Sequence, residues 1–223
     1  IINGQLVKGQ IDKKISNMKI HFIHNDYNNI VAINYLNNLQ KIIIRYLPSY
    51  GFSVGIEDVI IHKDIKKMNE NIVKKTKEDV MDMDKQIHLN IFENISNNIS
   101  EVYEAKARGI IQKTTQKLQS TLNEYLDNSN KINYMIKSGS KGGPTNITQM
   151  SSLLGQQDQN GKRIGLYFNN RTLPHYVKFD NSIENRGYIS SSFIEGLNPR
   201  EFFFHCIAGR EGLIDTAVKT AKS

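Results

Sequence analysis

Asn198-Pro199-Arg200-Glu201-Phe202-Phe203-Phe204-His205-Cys206-Ile207-Ala208-Gly209-Arg210-Glu211-Gly212-Leu213-Ile214-Asp215-Thr216-Ala217-Val218-Lys219-Thr220-Ala221-Lys222-Ser223 reads as a helix with a marked beginning. Asn198 suits the N-cap, Pro199 the first helical position, and Glu201 the third, where its carboxylate can reach back and close a capping box. Apolar side chains follow at Phe203, Ile207, Ile214, Ala217, Val218 and Ala221, near the helical period. Gly209 and Gly212 are unusual inside it, since each costs about 1 kcal/mol relative to alanine. The charged pair Arg210 and Glu211 lies between them. One reading is a buried helix with two tolerated glycines. The other is a helix that something approaches closely, or that bends.

Composition sets bounds on the rest. The chain has 223 residues, enough for one or two domains with a core. Its net charge of +7 fits a polyanionic partner and equally fits a plain basic surface. The lone Cys206 excludes an internal disulfide framework. No apolar run is long enough to span a membrane, and no signal peptide is visible. The six histidines show no zinc spacing, and adjacent His205 and Cys206 point in different directions on a helix, which argues against a Cys-His nucleophile pair. Ile1 would lie inside a strand and Ser223 inside a helix, so a piece of a longer protein is expected.

Towards the N-terminus the pattern predicts a β-hairpin over residues 1–11, turning at Asn3-Gly4. A basic loop with Lys13, Lys14, Lys19 and His21 should follow. Ile30, Ile33, Leu36, Leu39, Ile43 and Leu47 predict an amphipathic helix over 28–47, stopped by Pro48. Gly51 to Asp58 should be a turn and a short extended piece. Residues 64–87 read as a long helix with Ile65, Met68, Ile72, Val80, Met83 and Ile87 on its apolar stripe. Its lysines, Lys66, Lys67, Lys74, Lys75 and Lys77, read as a solvated face. Residues 92–118 predict a second long helix through Phe92, Ile95, Ile99, Val102, Ile110 and Leu118, antiparallel to the first. A short helix at 132–136 ends in the loop Ser138-Gly139-Ser140-Lys141-Gly142-Gly143-Pro144, which lacks P-loop spacing. The fold class is mainly α with a small β portion, at the start and around Tyr167 and Tyr188.

Several of these stretches share wording with one family. From Gly196-Leu197 to Ala221 the sequence resembles the start of the bridge helix in the largest subunit of multisubunit DNA-directed RNA polymerases. Ile1-Ile2-Asn3-Gly4-Gln5, with Asp12-Lys13-Lys14, is similar to the end of the pore domain. Gly51-Phe52-Ser53-Val54-Gly55-Ile56-Glu57-Asp58 resembles a further signature of that family. Gly139-Ser140-Lys141-Gly142, Asn146-Ile147-Thr148-Gln149-Met150, Gly155-Gln156-Gln157 and Gly161-Lys162-Arg163-Ile164 resemble the run before the bridge helix. Arg171-Thr172-Leu173-Pro174-His175, Arg186-Gly187 and Ser192-Phe193 continue it. Two departures are Cys206-Ile207-Ala208-Gly209, where the messenger-RNA enzyme has Ala-Met-Gly-Gly, and Gly165-Leu166-Tyr167-Phe168 after Arg-Ile.

The resemblance implies an organisation and a site. Residues 1–62 would end the pore domain. Residues 63–197 would form the funnel, around the channel by which nucleoside triphosphates enter, and the segment before the bridge helix. Residues 198–223 would be the N-terminal half of the bridge helix, the start of the cleft domain. Lys219, Thr220 and Ala221 would lie near the template base. Gln156, Gln157, Asp158, Gly161, Lys162, His205, Gly209 and Glu211 would border a pocket on the secondary channel, where amanitin-type toxins bind eukaryotic enzymes. The family's nucleotidyl transfer uses two Mg2+ held by an aspartate triplet, which activate the attacking 3′-oxygen and stabilise the leaving pyrophosphate. That triplet is not among these residues, so the metal would be bound elsewhere and no catalytic residue is placed here. Implied partners are template DNA, RNA, nucleoside triphosphates and other subunits, especially the second-largest, with no membrane. Location would be the nucleus in a cell, or a cytoplasmic viral factory or virion for a large DNA virus. The contrasting reading is a free-standing helical nucleic-acid-binding module, which start and stop codons at these ends would favour.

Overall fold

Asn198 opens the C-terminal helix as its sequence dictates. In a computed structural model that describes residues 5, 7–89 and 99–223, its Oδ1 accepts from the backbone N–H groups of Arg200 (3.1 Å) and Glu201 (3.0 Å). Glu201 Oε2 accepts in return from the Asn198 N–H at 3.1 Å, completing the capping box. Asn198→Ala is expected to cost about 1 kcal/mol, read as a lowered denaturation midpoint.

The chain divides into two units: residues 1–58 with 126–147, and residues 59–125 with 148–223. Helices dominate, and the strands are short, antiparallel and two residues long. The fold is mainly α with a small β portion.

In the first unit, α1 (Lys13–Asp26) and α2 (Asn29–Tyr50) pack against each other. The basic loop expected at Lys13 to His21 is thus a helix. Asp12 caps it by accepting from the Ile15 N–H at 2.7 Å. Pro48 does not stop α2 either. It sits in the final turn, and the helix runs on to Tyr50 before Gly51 takes φ +69°. The Gly51 N–H bonds to the Leu47 carbonyl at 2.7 Å, so proline's missing donor interrupts only one bond of the last turn. A 3₁₀ turn, Ile56–Asp58, follows. Its buried Asp58 accepts from the Lys131 N–H at 2.8 Å, at the start of α5 (Lys131–Ser138). Asn130 caps α5, and left-handed Gly139 ends it. Of the hairpin expected over residues 1–11, residues 1–4 and 6 lie outside the described residues, and the described residues 7–11 form no strand.

The second unit is built on α3 (Lys63–His88) and α4 (Ile99–Tyr125). Thr76 faces Thr114, while Met83 packs on Tyr103 and Ala107. Rising numbers on one helix meet falling numbers on the other, so the pair is antiparallel. The buried stripe of α3 is Ile65, Asn69, Val73, Thr76, Val80 and Met83. Met68, expected inside, is exposed. On α4 the buried stripe is Tyr103, Ala107, Ile111, Thr114, Leu118 and Leu122, and Ile99 is exposed. Phe92 and Ile95 lie outside the described residues. Two threonines can hold core positions because each hydroxyl has a partner: their oxygens lie 2.7 Å apart, so one donates to the other, which in turn donates to the carbonyl four residues back.

Helix α6 (Pro144–Ser151), not foreseen, leads in the chain to β1 (Gly155–Gln156), β2 (Asp158–Gln159) and β3 (Lys162–Arg163); β4 (Tyr188–Ile189) pairs with β1. Tyr167, expected near β structure, lies in a turn. The reason is local: Phe168 and Arg171 exchange backbone hydrogen bonds around Asn169 and Asn170, both at positive φ. That is a two-residue loop that asparagine tolerates. One core joins Val73, Val80, Ile111 and Leu118 to Leu153, Ile183 and Tyr188. A second, of Leu154, Ile164, Leu173, Ile189 and Phe204, seats α7 (Pro199–Lys222).

Candidate functional site

Two residues of positive φ fix the shape of the site. Asn160 (φ +50°) and Gly161 (φ +70°) form the turn joining β2 to β3, the conformation that asparagine-glycine pairs adopt at least cost. The turn puts Asp158 opposite Arg163 and Gln159 opposite Lys162. Gln157, just before the hairpin, is buried, and its Oε1 lies 3.2 Å from Nδ1 of His205 on α7. The amide oxygen can only accept, so Nδ1 is the donor in this hydrogen bond. Phe193 meets the same ring edge-on, with centroids 5.6 Å apart. One and a half turns along α7, Glu211 Oε2 accepts from the Asn160 backbone N–H at 2.8 Å.

The residues singled out from sequence therefore fall into two places. Gln156, Gln157, Asp158, Gly161 and Lys162 lie on the β1–β3 segment, and His205, Gly209 and Glu211 on the part of α7 beside it. Gln156 Nε2 donates to the carbonyls of Gln157 (2.9 Å) and Arg186 (2.8 Å), which makes it a brace between chain segments. Lys162 and Gly161 are exposed. A methyl group placed on Gly209 or Gly212 would meet nothing within 4 Å, so no packing among the described residues requires either glycine.

Lys219, Thr220 and Ala221 stand apart, on the last turns of α7, about 12–15 Å along the axis from Glu211. All three are exposed. Lys219 pairs with Asp215 at 2.6 Å, and Thr220 donates to the Thr216 carbonyl at 2.9 Å. Every residue from Gly212 to Ser223 is exposed, including Leu213, Ile214 and Val218. The buried aromatic of α7 is Phe204, whereas Phe203, placed on the stripe from sequence, is half exposed.

A charge cluster that the sequence did not announce holds the hairpin from below. Arg163 has no exposed side-chain surface, and its Nε and Nη2 each donate to a different oxygen of Glu104 at 2.9 Å. Arg186 Nη2 reaches Glu104 Oε1 at 2.9 Å, and its other nitrogens bond to the Ile164 carbonyl and Asn181 Oδ1, both at 2.7 Å. Arg108, one turn after Glu104 on α4, pairs with Asp158 at 3.1 Å. Burial opposes the charge on Glu104. The hydrogen bonds and charge of Arg163, then the charges of Arg186 and Arg108, outweigh it and hold the carboxyl below its ordinary value. On Arg163 burial is likewise outweighed, by Glu104, and its pKa is raised. Glu104 and Arg108 at i, i+4 mark one face of α4, but no sequence signal ties that face to Arg163.

Three consecutive family matches cover most of the sequence: RNA polymerase Rpb1, domain 3, over residues 1–59; domain 4 over 84–189; and domain 5 over 196–223. The chain belongs to the Rpb1 family, the largest subunits of DNA-directed RNA polymerases. It is 36% identical over 233 residues to the DNA-directed RNA polymerase III subunit RPC1 of Debaryomyces hansenii. That alignment takes in 100% of this chain and 16% of the relative, so the chain spans about a sixth of that subunit's length. In Rpb1 terms, the Glu104 cluster and the β2–β3 hairpin fall within the domain 4 match, and α7 within that of domain 5.

Proposed function

We propose that this chain works as part of the largest subunit of a DNA-dependent RNA polymerase and contributes to transcription of DNA into RNA. Residues 1–62 end the pore domain, 63–197 form the nucleotide-entry funnel and the segment before the bridge helix, and 198–223 begin the bridge helix. Lys219, Thr220 and Ala221 position the template at the active centre. Gln156, Gln157, Asp158, Gly161, Lys162, His205, Gly209 and Glu211 border the secondary channel beside it. Template DNA, RNA, nucleoside triphosphates and the other subunits, chiefly the second-largest, are the partners. The setting is the nucleus for a cellular enzyme, or a viral factory or virion for a large DNA virus.

Mg2+ serves the whole enzyme and is held by residues outside this chain. The aspartate triplet that holds it in the family is not in this sequence, so no residue here is assigned to it.

The observation that supports this reading best is the contrast between the two halves of α7. The first half is anchored by Phe204 in the core, by Gln157 at His205 and by Asn160 at Glu211. The second half, from Gly212 on, is exposed on all sides. A helical stretch this short gains most of its stability from packing, so its apolar residues and small Ala221 suit a surface met by template and neighbouring segments. In the assembled polymerase, Ala221→Phe is expected to slow nucleotide addition about tenfold, by obstructing the close approach of a base pair. Ala221 is exposed, so the denaturation midpoint should hold. An unchanged elongation rate would sink the reading.

A further inference from the structure

Glu104 and Arg108 lie one turn apart on α4 and so face the same neighbour. That neighbour is the β2–β3 hairpin, and each side chain takes one strand of it. Glu104 grips Arg163 on β3 through two parallel hydrogen bonds, and Arg108 reaches Asp158 on β2. Asp158 and Arg163 are themselves direct cross-strand partners. Paired, fork-shaped contacts of this kind fix orientation as well as distance. On its other side the same segment meets α7 twice, through Gln157 at His205 and the Asn160 N–H at Glu211. The two contacts are about 9 Å apart along the helix axis. Two points of attachment set a rod's direction, where one would leave it free to swing.

We propose that Glu104 and Arg108 are positioning residues for nucleotide addition. Through the hairpin they fix the direction of α7, and so the placement of Lys219, Thr220 and Ala221. The inference rests on the reading of α7 given above. Neither residue touches the template-facing turns, so each acts only through the strut of residues 157–163. The Arg108–Asp158 pair is the more telling of the two, because it is half exposed and such pairs contribute little to folding. Its removal tests position without testing stability.

In the assembled polymerase, Arg108→Ala removes the charge that meets Asp158. The expected result is a kcat for nucleotide addition lowered about tenfold, with the KM for nucleoside triphosphate and the denaturation midpoint unchanged. Arg108→Lys keeps a cation within reach of Asp158 and should retain kcat. An undiminished kcat in Arg108→Ala overturns the proposal. So does an equal loss in Arg108→Lys, or one that follows a lowered midpoint. Ala221→Phe is measured beside them. If it slows addition and Arg108→Ala does not, only the strut is wrong; if neither slows addition, the placement of α7 at the active centre fails as well.

Discussion

Replacing Glu104 by glutamine is expected to lower the unfolding free energy by about 3–5 kcal/mol. At about 2–4 °C per kcal/mol for a chain of this size, the thermal midpoint should drop by roughly 6–20 °C. The size of the effect comes from what is left behind. Arg163 has no exposed side-chain surface and Arg186 very little, and both are charged at any working pH. Without Glu104, two buried guanidinium groups face each other with no counter-charge among the groups they now bond. A neutral amide can accept from one of them, and it offsets only part of that. The loss should also depend on pH. The folded-state pKa of Glu104 lies below its ordinary value of 4.5. Its contribution is therefore complete above that ordinary value, and fades as pH falls through the depressed one. The gap between wild type and Glu104→Gln should be widest near neutrality and narrow under acid. Denaturation midpoints compared across that range would check it, and a gap that stays constant would exclude Glu104 as its source.

That cluster shows where sequence reading stops. Glu104 and Arg163 are 59 positions apart, and nothing local pairs them. Charges on a helix read by default as a solvated face, and only tertiary structure reveals that one of them is the floor of a hairpin. Two helix boundaries were a different matter, whereas the second long helix, expected to end at residue 118, runs on to Tyr125. The start of α7 was legible in full, because Asn198, Pro199 and Glu201 each act on backbone groups within one turn. The limits of α3 were legible to one residue, because an apolar stripe of this length has a single helical solution. Its content was not: Asn69, Val73 and Thr76 share the buried face where Met68 was expected. Hydropathy ranks a lone methionine above a threonine, but a threonine with a hydrogen-bonding partner across the interface can be buried. Helix α1 escaped for the opposite reason. No residue of α1 is buried, so its apolar pattern is faint and only the Asp12 cap marks it. As for the site, local spacing gives no reason to bring Gln157 to His205 or residue 160 to Glu211. The placement of Gln157, His205 and Glu211 in one neighbourhood was drawn from family wording alone, and Asn160 was not part of it.

The second large effect is expected at Gly187, where alanine should cost about 2–5 kcal/mol, the sum of two separate penalties. The backbone there has φ +91°, a conformation that residues with a Cβ rarely adopt. A methyl group would also stand 2.7 Å from Ile164 Cγ1 and 3.1 Å from the Gln157 carbonyl oxygen. Ile164 is fully buried and belongs to the core that seats α7, and the second contact is backbone, so neither neighbour can step aside cheaply. The Gly187 carbonyl accepts from the Gln157 N–H at 2.9 Å, so a shift here travels directly to the residue that meets His205. Gly161→Ala is the matched comparison. It carries a similar backbone demand at φ +70° but has nothing within 4 Å of the new methyl, so only the conformational part remains, about 1 kcal/mol. Denaturation of the two variants separates strain from crowding. Equal losses would mean that the clash with Ile164 and Gln157 relaxes freely. A loss at Gly187 several times larger means the segment beneath Gln157 is packed to its limit, as a strut that aims a helix has to be.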